Sequence, residues 1–378
     1  MTDTCDFLVI GAGMAGASAA YFLAGQGRVT VLEMESQPGY HTTGRSAALF
    51  TEAYGNRTIR AITKATRPFL ESPPDGFAAH PILTPRGDLL VAREDQLGLL
   101  DRAFAEIREL MPGARRLDAA ETLALAPVLR PGYAAGGLYG PDAMDIDVHA
   151  LHQGFLKGLR QRGGRLVADA PVTALRRSGT GWEVTTPAGR FAAGVVVNAA
   201  GAWCDHVAAL AAVPPVGLVP KRRTAFTFDA PAGFDPGPLP AVIDIEESWY
   251  IKPEAGRFLG SPADETPSEP CDAQPEELDL AIAVDRIEQA TTMTIRRFHS
   301  KWAGLRSFVK DKTPVAGFAP DAPGFFWLAG QGGYGIQTSA GMGRIAAALA
   351  TGGDLPADIA ALGVAAAHLA PDRPGLNG

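Results

Sequence analysis

Apolar positions open the chain in a short unbroken run at residues 7–10, which reads as a strand. Small residues dominate 17–24, the pattern of a helix that packs closely. A second apolar run at 28–32 ends on Glu33 and reads as another strand. Residues 47–146 are less regular, with Pro-rich turns, a strand near 88–91 and polar helices near 95–110 and 118–125. From Asp147, a plausible N-cap, residues 147–160 follow a helical period and stop at Gly163 and Gly164. Strands are expected at 165–168, 172–176, 182–185 and 191–198, the last continuously apolar and so covered on both faces. Between 215 and 310 the period shortens to two, at 219–228, 241–245, 249–252 and 257–260, with a helix at 275–289. A final apolar strand at 324–329 leads into a glycine cluster and an Ala-rich helix that runs to about 350.

This order predicts an α/β protein. A discontinuous Rossmann-like domain (1–46, 147–214 and 311–378) is interrupted by a mainly antiparallel α+β substrate domain (47–146 and 215–310). At 378 residues the chain is long enough for two cores. A formal charge of −7 and the lack of a basic run argue against nucleic acid as a partner. Cys5, Cys204 and Cys271 form no CxxC pair, which points to a reducing compartment and no structural metal. No leader pattern and no apolar run of about 18 residues is present, so no transmembrane segment is expected. A cytoplasmic protein is expected, with loose membrane attachment left open.

The first strand runs into Gly11-Ala12-Gly13-Met14-Ala15-Gly16. Gly11 suits a tight turn, Gly13 a close approach to a pyrophosphate, and Gly16 close packing of the helix on the sheet. Glu33 lies about twenty residues on, where a carboxylate takes hydrogen bonds from a ribose. The unit therefore reads as a dinucleotide site. A second strand–glycine–helix unit, Gly330-Gln331-Gly332-Gly333-Tyr334-Gly335, aims another helix N-terminus at the first and would stabilise a reduced, negatively charged isoalloxazine. Two such units at opposite ends of a chain suit FAD better than NAD. Thr43, Gly44, Arg45, Ser46 and Ala47 follow the second strand and offer hydroxyls, backbone and a cation to that cofactor. His149 and His152 on the predicted helix read as structural.

These turns resemble the D-amino acid oxidase family of flavoproteins. So do His41-Thr42-Thr43-Gly44-Arg45-Ser46, Ala150-Leu151-His152-Gln153-Gly154, Val197-Asn198-Ala199-Ala200-Gly201-Ala202-Trp203, Pro220-Lys221-Arg222-Arg223, Trp302-Ala303-Gly304-Leu305-Arg306 and Gln331-Gly332-Gly333-Tyr334-Gly335-Ile336-Gln337. Within that family the chain resembles the bacterial D-arginine dehydrogenases. The resemblance implies non-covalent FAD and hydride transfer from the Cα of a D-amino acid to flavin N5. The product is an imino acid that hydrolyses to a 2-oxo acid and ammonia, and a quinone or O2 takes the electrons. It assigns Arg223 and Arg306 to the substrate carboxylate, hydroxyls of Tyr54 and Tyr250 to the same group, and the Gly333 carbonyl to the amine. Gln337 would line the flavin end and Val172 would hold the adenine through its backbone. Met34, Ala200, Gly201, Trp203 and Ile336 complete the cofactor wall.

A planar guanidinium grips a carboxylate through two parallel bonds, and Arg306 among apolar neighbours needs such a partner. Alternation allows only one of Trp249 and Tyr250 to face the cofactor, and Lys221 and Arg222 read as solvated. Leu49 and Asp88 stand where the arginine enzymes carry histidine and glutamate. Leu49, Ala241 and Ile243 would wall a pocket for small or apolar side chains, while Asp88 either attracts a cation there or belongs to the Arg86-Gly87-Asp88 turn. Oxidation of a 2-hydroxy acid or an N-substituted glycine, or a non-catalytic FAD-binding subunit, are the alternatives.

Overall fold

The computed structural model describes residues 2–108 and 111–376. An eight-stranded sheet carries the first glycine turn. Strand Thr2–Ile10 is its centre, parallel to Val29–Leu32 on one side and to Gly189–Asn198 on the other. Arg165–Val167 extends one edge in parallel. The long strand Gly189–Asn198 divides its free edge. Its first half pairs antiparallel with Gly181–Thr186, and its last residues run parallel to Phe325–Ala329. The C-terminal ends of Thr2–Ile10, Gly189–Asn198 and Phe325–Ala329 therefore lie together, the edge at which such sheets bind ligands.

Helix Met14–Leu23 packs against helix Ser339–Ala350. Both are built from small residues, which lets the backbones approach. A Cβ on Gly343 would lie 2.9 Å from the Ser18 carbonyl oxygen. Helix Arg57–Glu71 also packs on Ser339–Ala350, with Ile62 buried in that core. Its N-cap, Asn56, accepts from the Ile59 N–H. Helix Val148–Gln161 starts as expected, with the Asp147 carboxylate accepting from the Ala150 N–H.

The second sheet has nine strands. Val219–Phe228, Ala241–Asp244, Tyr250–Glu254 and Arg257–Ser261 match the alternating stretches. Asp88–Ala92 joins them by pairing in parallel with Ala241–Asp244, and so ties the earlier chain segment to the later one. Ser300–Phe308 is a strand that the sequence pattern did not reveal. It pairs with Val219–Phe228 from Val219 to Thr227. Among the described residues no helix is long and apolar enough to cross a membrane.

One expectation changes. The helix after the second glycine cluster begins at Ser339, with Thr338 as N-cap. The Gly330–Gly335 turn is followed by a coil of short-range bonds, Thr338 N–H to Tyr334 O and Ser339 N–H to Ile336 O, before the helix is established. Four closely spaced glycines delay the regular helix, since each costs about 1 kcal/mol relative to alanine.

Replacing Gly343 by Leu drives a side chain into the backbone of the first helix. The denaturant midpoint should fall by the equivalent of about 2 kcal/mol.

Candidate active site

One large cavity, of about 870 Å³, lies against both glycine turns and the face of the second sheet. Of the cofactor residues expected from sequence, Gly11, Gly13, Met14, Ala15, Glu33, Met34, Thr43, Arg45, Ser46, Ala47, Val172, Ala200, Gly201, Trp203, Gly330, Gly332, Gly333, Tyr334, Gly335 and Ile336 line it. Ala12, Gly16, Gly44 and Gln337 are absent from the wall.

The turn at Gly11 is fixed by backbone crowding. Gly11 has φ +97° and a Cβ there would lie 2.5 Å from the Ala199 carbonyl oxygen. A Cβ on Gly16 would come within 1.9 Å of the Gly11 carbonyl oxygen, so only glycine lets the helix start this close to the turn. The turn is held from outside. The buried Glu33 carboxylate accepts from Ala12 N–H at 2.7 Å and Glu35 N–H at 3.0 Å. Thr43 Oγ1 accepts from Met14 N–H at 2.9 Å. His152 bonds the Ala12 carbonyl at 2.8 Å, and burial holds its basicity below the ordinary histidine value. A structural histidine is thus what the geometry shows.

Arg45 lines the cavity, but its guanidinium is committed to the Ala273 and Ala303 carbonyls and to Asp272. It anchors its loop to strand Ser300–Phe308, helped by Trp302 Nε1 donating to the Arg45 carbonyl at 3.0 Å. Gln337 departs from expectation as well. Its carboxamide is buried, accepting from Thr51 N–H at 3.3 Å and donating to Thr63 Oγ1 at 3.0 Å. It supports the wall from behind. Arg222 is not solvated: it pairs with Asp279 at 2.9 Å and with Glu276. Lys221 pairs with Glu265 at 2.9 Å.

The substrate residues come together. Arg223 and Arg306 sit on adjacent strands, where register pairs Lys221 with Arg306 and so puts both arginines on one face. Arg306 Nη2 donates to Tyr54 Oη at 2.6 Å, and its Nη1 has no partner. Arg223 Nε donates to the Asp264 carbonyl at 2.8 Å, while its Nη2 lies 3.6 Å from Glu265 without a hydrogen bond. Nearby tyrosines raise the basicity of Arg306 although burial opposes this. A Cβ on Gly333 would fall 1.5 Å from Arg306 Nη2, so the guanidinium lies directly on the glycine backbone. Tyr250 lines the cavity, whereas Trp249 is buried behind it and donates to Tyr133 at 3.1 Å. Leu49, Asp88, Ala241 and Ile243 line the same space.

The wall fits a large polar ligand. Seven buried side-chain nitrogen or oxygen atoms of described residues lack a partner, and six belong to residues on the cavity wall. Two of these, His41 Nδ1 and Gln331 Nε2, sit in residues that the sequence left without a role. Their place inside the two matched motifs was the available signal. The N–H groups of Gly333, Gly335 and Ile336 have no backbone acceptor among the described residues, which gives the second turn free donors without a helix N-terminus.

The family model "FAD dependent oxidoreductase" matches residues 6–349. Glycine oxidase of Bacillus subtilis is 25% identical over 358 residues, covering 89% of this chain and 90% of that protein. The crystal structure of glycine oxidase from Geobacillus kaustophilus superposes with a TM-score of 0.81 at 24% identity, covering 93% of this chain and 96% of that one. L-alpha-glycerophosphate oxidase from Mycoplasma pneumoniae, with FAD bound, gives 0.82 at 19% identity over 93% and 95% of the two chains.

Asp88 provides a pH test. Burial raises its pKa from 3.8 to about 6, against hydrogen bonds from Thr51 and Gly140. A carboxyl that holds its proton longer when folded loses stability between those two values as pH rises. The Asp88→Asn protein should therefore lack this decline, and its thermal midpoint should gain on the native one from about pH 4 to about pH 6.

The matched span, the sheet topology and the two glycine turns on one cavity agree: the chain belongs to the DAO family of FAD-dependent oxidoreductases.

Proposed function

We propose that the protein oxidises a D-amino acid at Cα, releasing an imino acid that water converts to a 2-oxo acid and ammonia. The carrying observation is the pair of arginines that share a face of the cavity, each with one guanidinium nitrogen unbonded. A site with two such donors is built for a carboxylate. Resemblance across the sequence motifs supplies the D-configuration and the amine; the relatives include both a glycine oxidase and glycerol-phosphate enzymes.

FAD, when bound, supplies the two-electron acceptor for the hydride that leaves Cα. The protein supplies position. Arg306 and Arg223 fix the plane of the substrate carboxylate, and that plane sets which Cα hydrogen faces the cofactor. Arg306 in turn holds the Tyr54 hydroxyl, and Tyr250 closes the sheet side. The Gly333 carbonyl takes the substrate amine. Leu49, Ala241 and Ile243 offer the side chain an apolar wall, which does not suit D-arginine. Electrons leave to a quinone or to O2. With Cys5, Cys204 and Cys271 all free, we place the reaction in the cytoplasm.

Anaerobic mixing of the flavoprotein with D-amino acids, L-amino acids, glycine, N-methylglycine, 2-hydroxy acids and glycerol 3-phosphate tests this. Loss of flavin absorbance is expected with D-amino acids, and bleaching by hydroxy acids alone would refute the reading. Arg306→Ala should lower kcat/KM by a hundredfold or more, about 3 kcal/mol, because the substrate anion is left without its buried partner. Gly333→Ala should push the guanidinium aside. A raised KM with flavin still bound is the expected result.

A further inference from the structure

We infer that the side-chain compartment selects a long, uncharged D-amino acid side chain, aryl or extended alkyl, through Leu90, Leu138 and Ile107. This rests on the D-amino acid reading above and adds the substrate class. Strand register lays out the compartment. Tyr250 pairs with Ile243, Ile243 with Leu90 and Leu90 with Leu138, and all four line the cavity. Three strand spacings carry this row about 14 Å from the tyrosine beside the arginine clamp. Helix Leu97–Ile107 closes the far side with Ala103 and Ile107, which follow one another at helical spacing. A substrate with a methyl side chain or none would leave this apolar arm facing water, which forfeits the burial it offers.

The charged groups at the arm point elsewhere. Asp88 lies in the neighbouring row, opposite Ala241 and Gly140. A Cβ on Gly140 would be 2.2 Å from Asp88 Oδ1, so the carboxyl occupies the space that the glycine leaves. There the Thr51 side chain and the Gly140 backbone are its polar neighbours. Arg60 and Glu106 also line the cavity, and they pair with each other at 3.7 Å. Glu247 lines the cavity without an ion pair among the described residues, and its charge acts on Arg306 in the clamp.

Stopped-flow anaerobic reduction with D-alanine, D-leucine, D-phenylalanine and D-lysine, followed by separate reoxidation, tests the inference. The native protein should favour D-phenylalanine or D-leucine over D-alanine by about tenfold or more in kcat/KM. Leu90→Trp fills the arm from the sheet and Ala103→Phe fills it from the helix. Each should reduce that preference about tenfold while the bound-flavin spectrum reports an intact fold. Preference for D-alanine or D-lysine overturns the inference, as does an unchanged ratio in both variants. Slowed reoxidation with unchanged reduction would assign the arm to the electron acceptor instead. If no D-amino acid reduces the flavin, the parent reading fails, a result distinct from all of these.

Discussion

Close approach of backbone to neighbouring atoms, possible only where a side chain is missing, is the constraint on which this molecule is built. It operates at Gly11 against Ala199, at Gly16 against Gly11, and at Gly333 against the Arg306 guanidinium. The first two shape the turn at the edge of the parallel sheet. The third seats a cation on the second turn. Remove the freedom at any of the three and a different part of the site moves: the turn, the helix behind it, or the clamp.

Around these contacts the polar groups divide into two sets. One set already has protein partners and acts as scaffold. Glu33, Thr43, His152, Arg45 and Gln337 each hold a loop by bonding backbone or a neighbouring side chain. The other set is left short of partners: Arg223, Arg306, His41 and Gln331. Leaving a buried donor unpaired costs roughly 1–3 kcal/mol, more for a charge, so a wall rich in such atoms is tuned to what enters rather than to standing alone.

Much of this was legible in the chain, for identifiable reasons. The first glycine unit is local and each of its parts has its own signal. Asp147 announced its helix because capping is a short-range effect, and Val219–Phe228 showed a clean period of two. Other parts were hidden. Ser300–Phe308 mixes Lys, Trp, Gly and Arg because one of its faces meets the cavity and the Arg45 loop, so its alternation does not separate polar from apolar. Helix Arg57–Glu71 was not expected either: it is mostly polar and contains Pro68, and its signal lies in the Asn56 cap and the buried stripe Ile59, Ile62, Ala65 and Leu70. Gln337 and Arg45 belong to matched motifs, but a motif does not say whether a side chain faces the ligand or braces the loop behind it. That distinction needs three-dimensional partners.

The order in which the site is assembled follows from pairing between distant stretches of chain. Thr2–Ile10 finds Val29–Leu32 early but cannot acquire its second neighbour until Gly189–Asn198 exists, and that strand waits in turn for Phe325–Ala329. Such long-range closure is slow compared with helix formation. During synthesis on the ribosome the opening glycine turn therefore emerges hundreds of residues before the partners that complete its pocket. The nascent protein spends that interval with an exposed parallel-sheet edge, and capture of the flavin becomes an event of the last stage of folding rather than a seed for it.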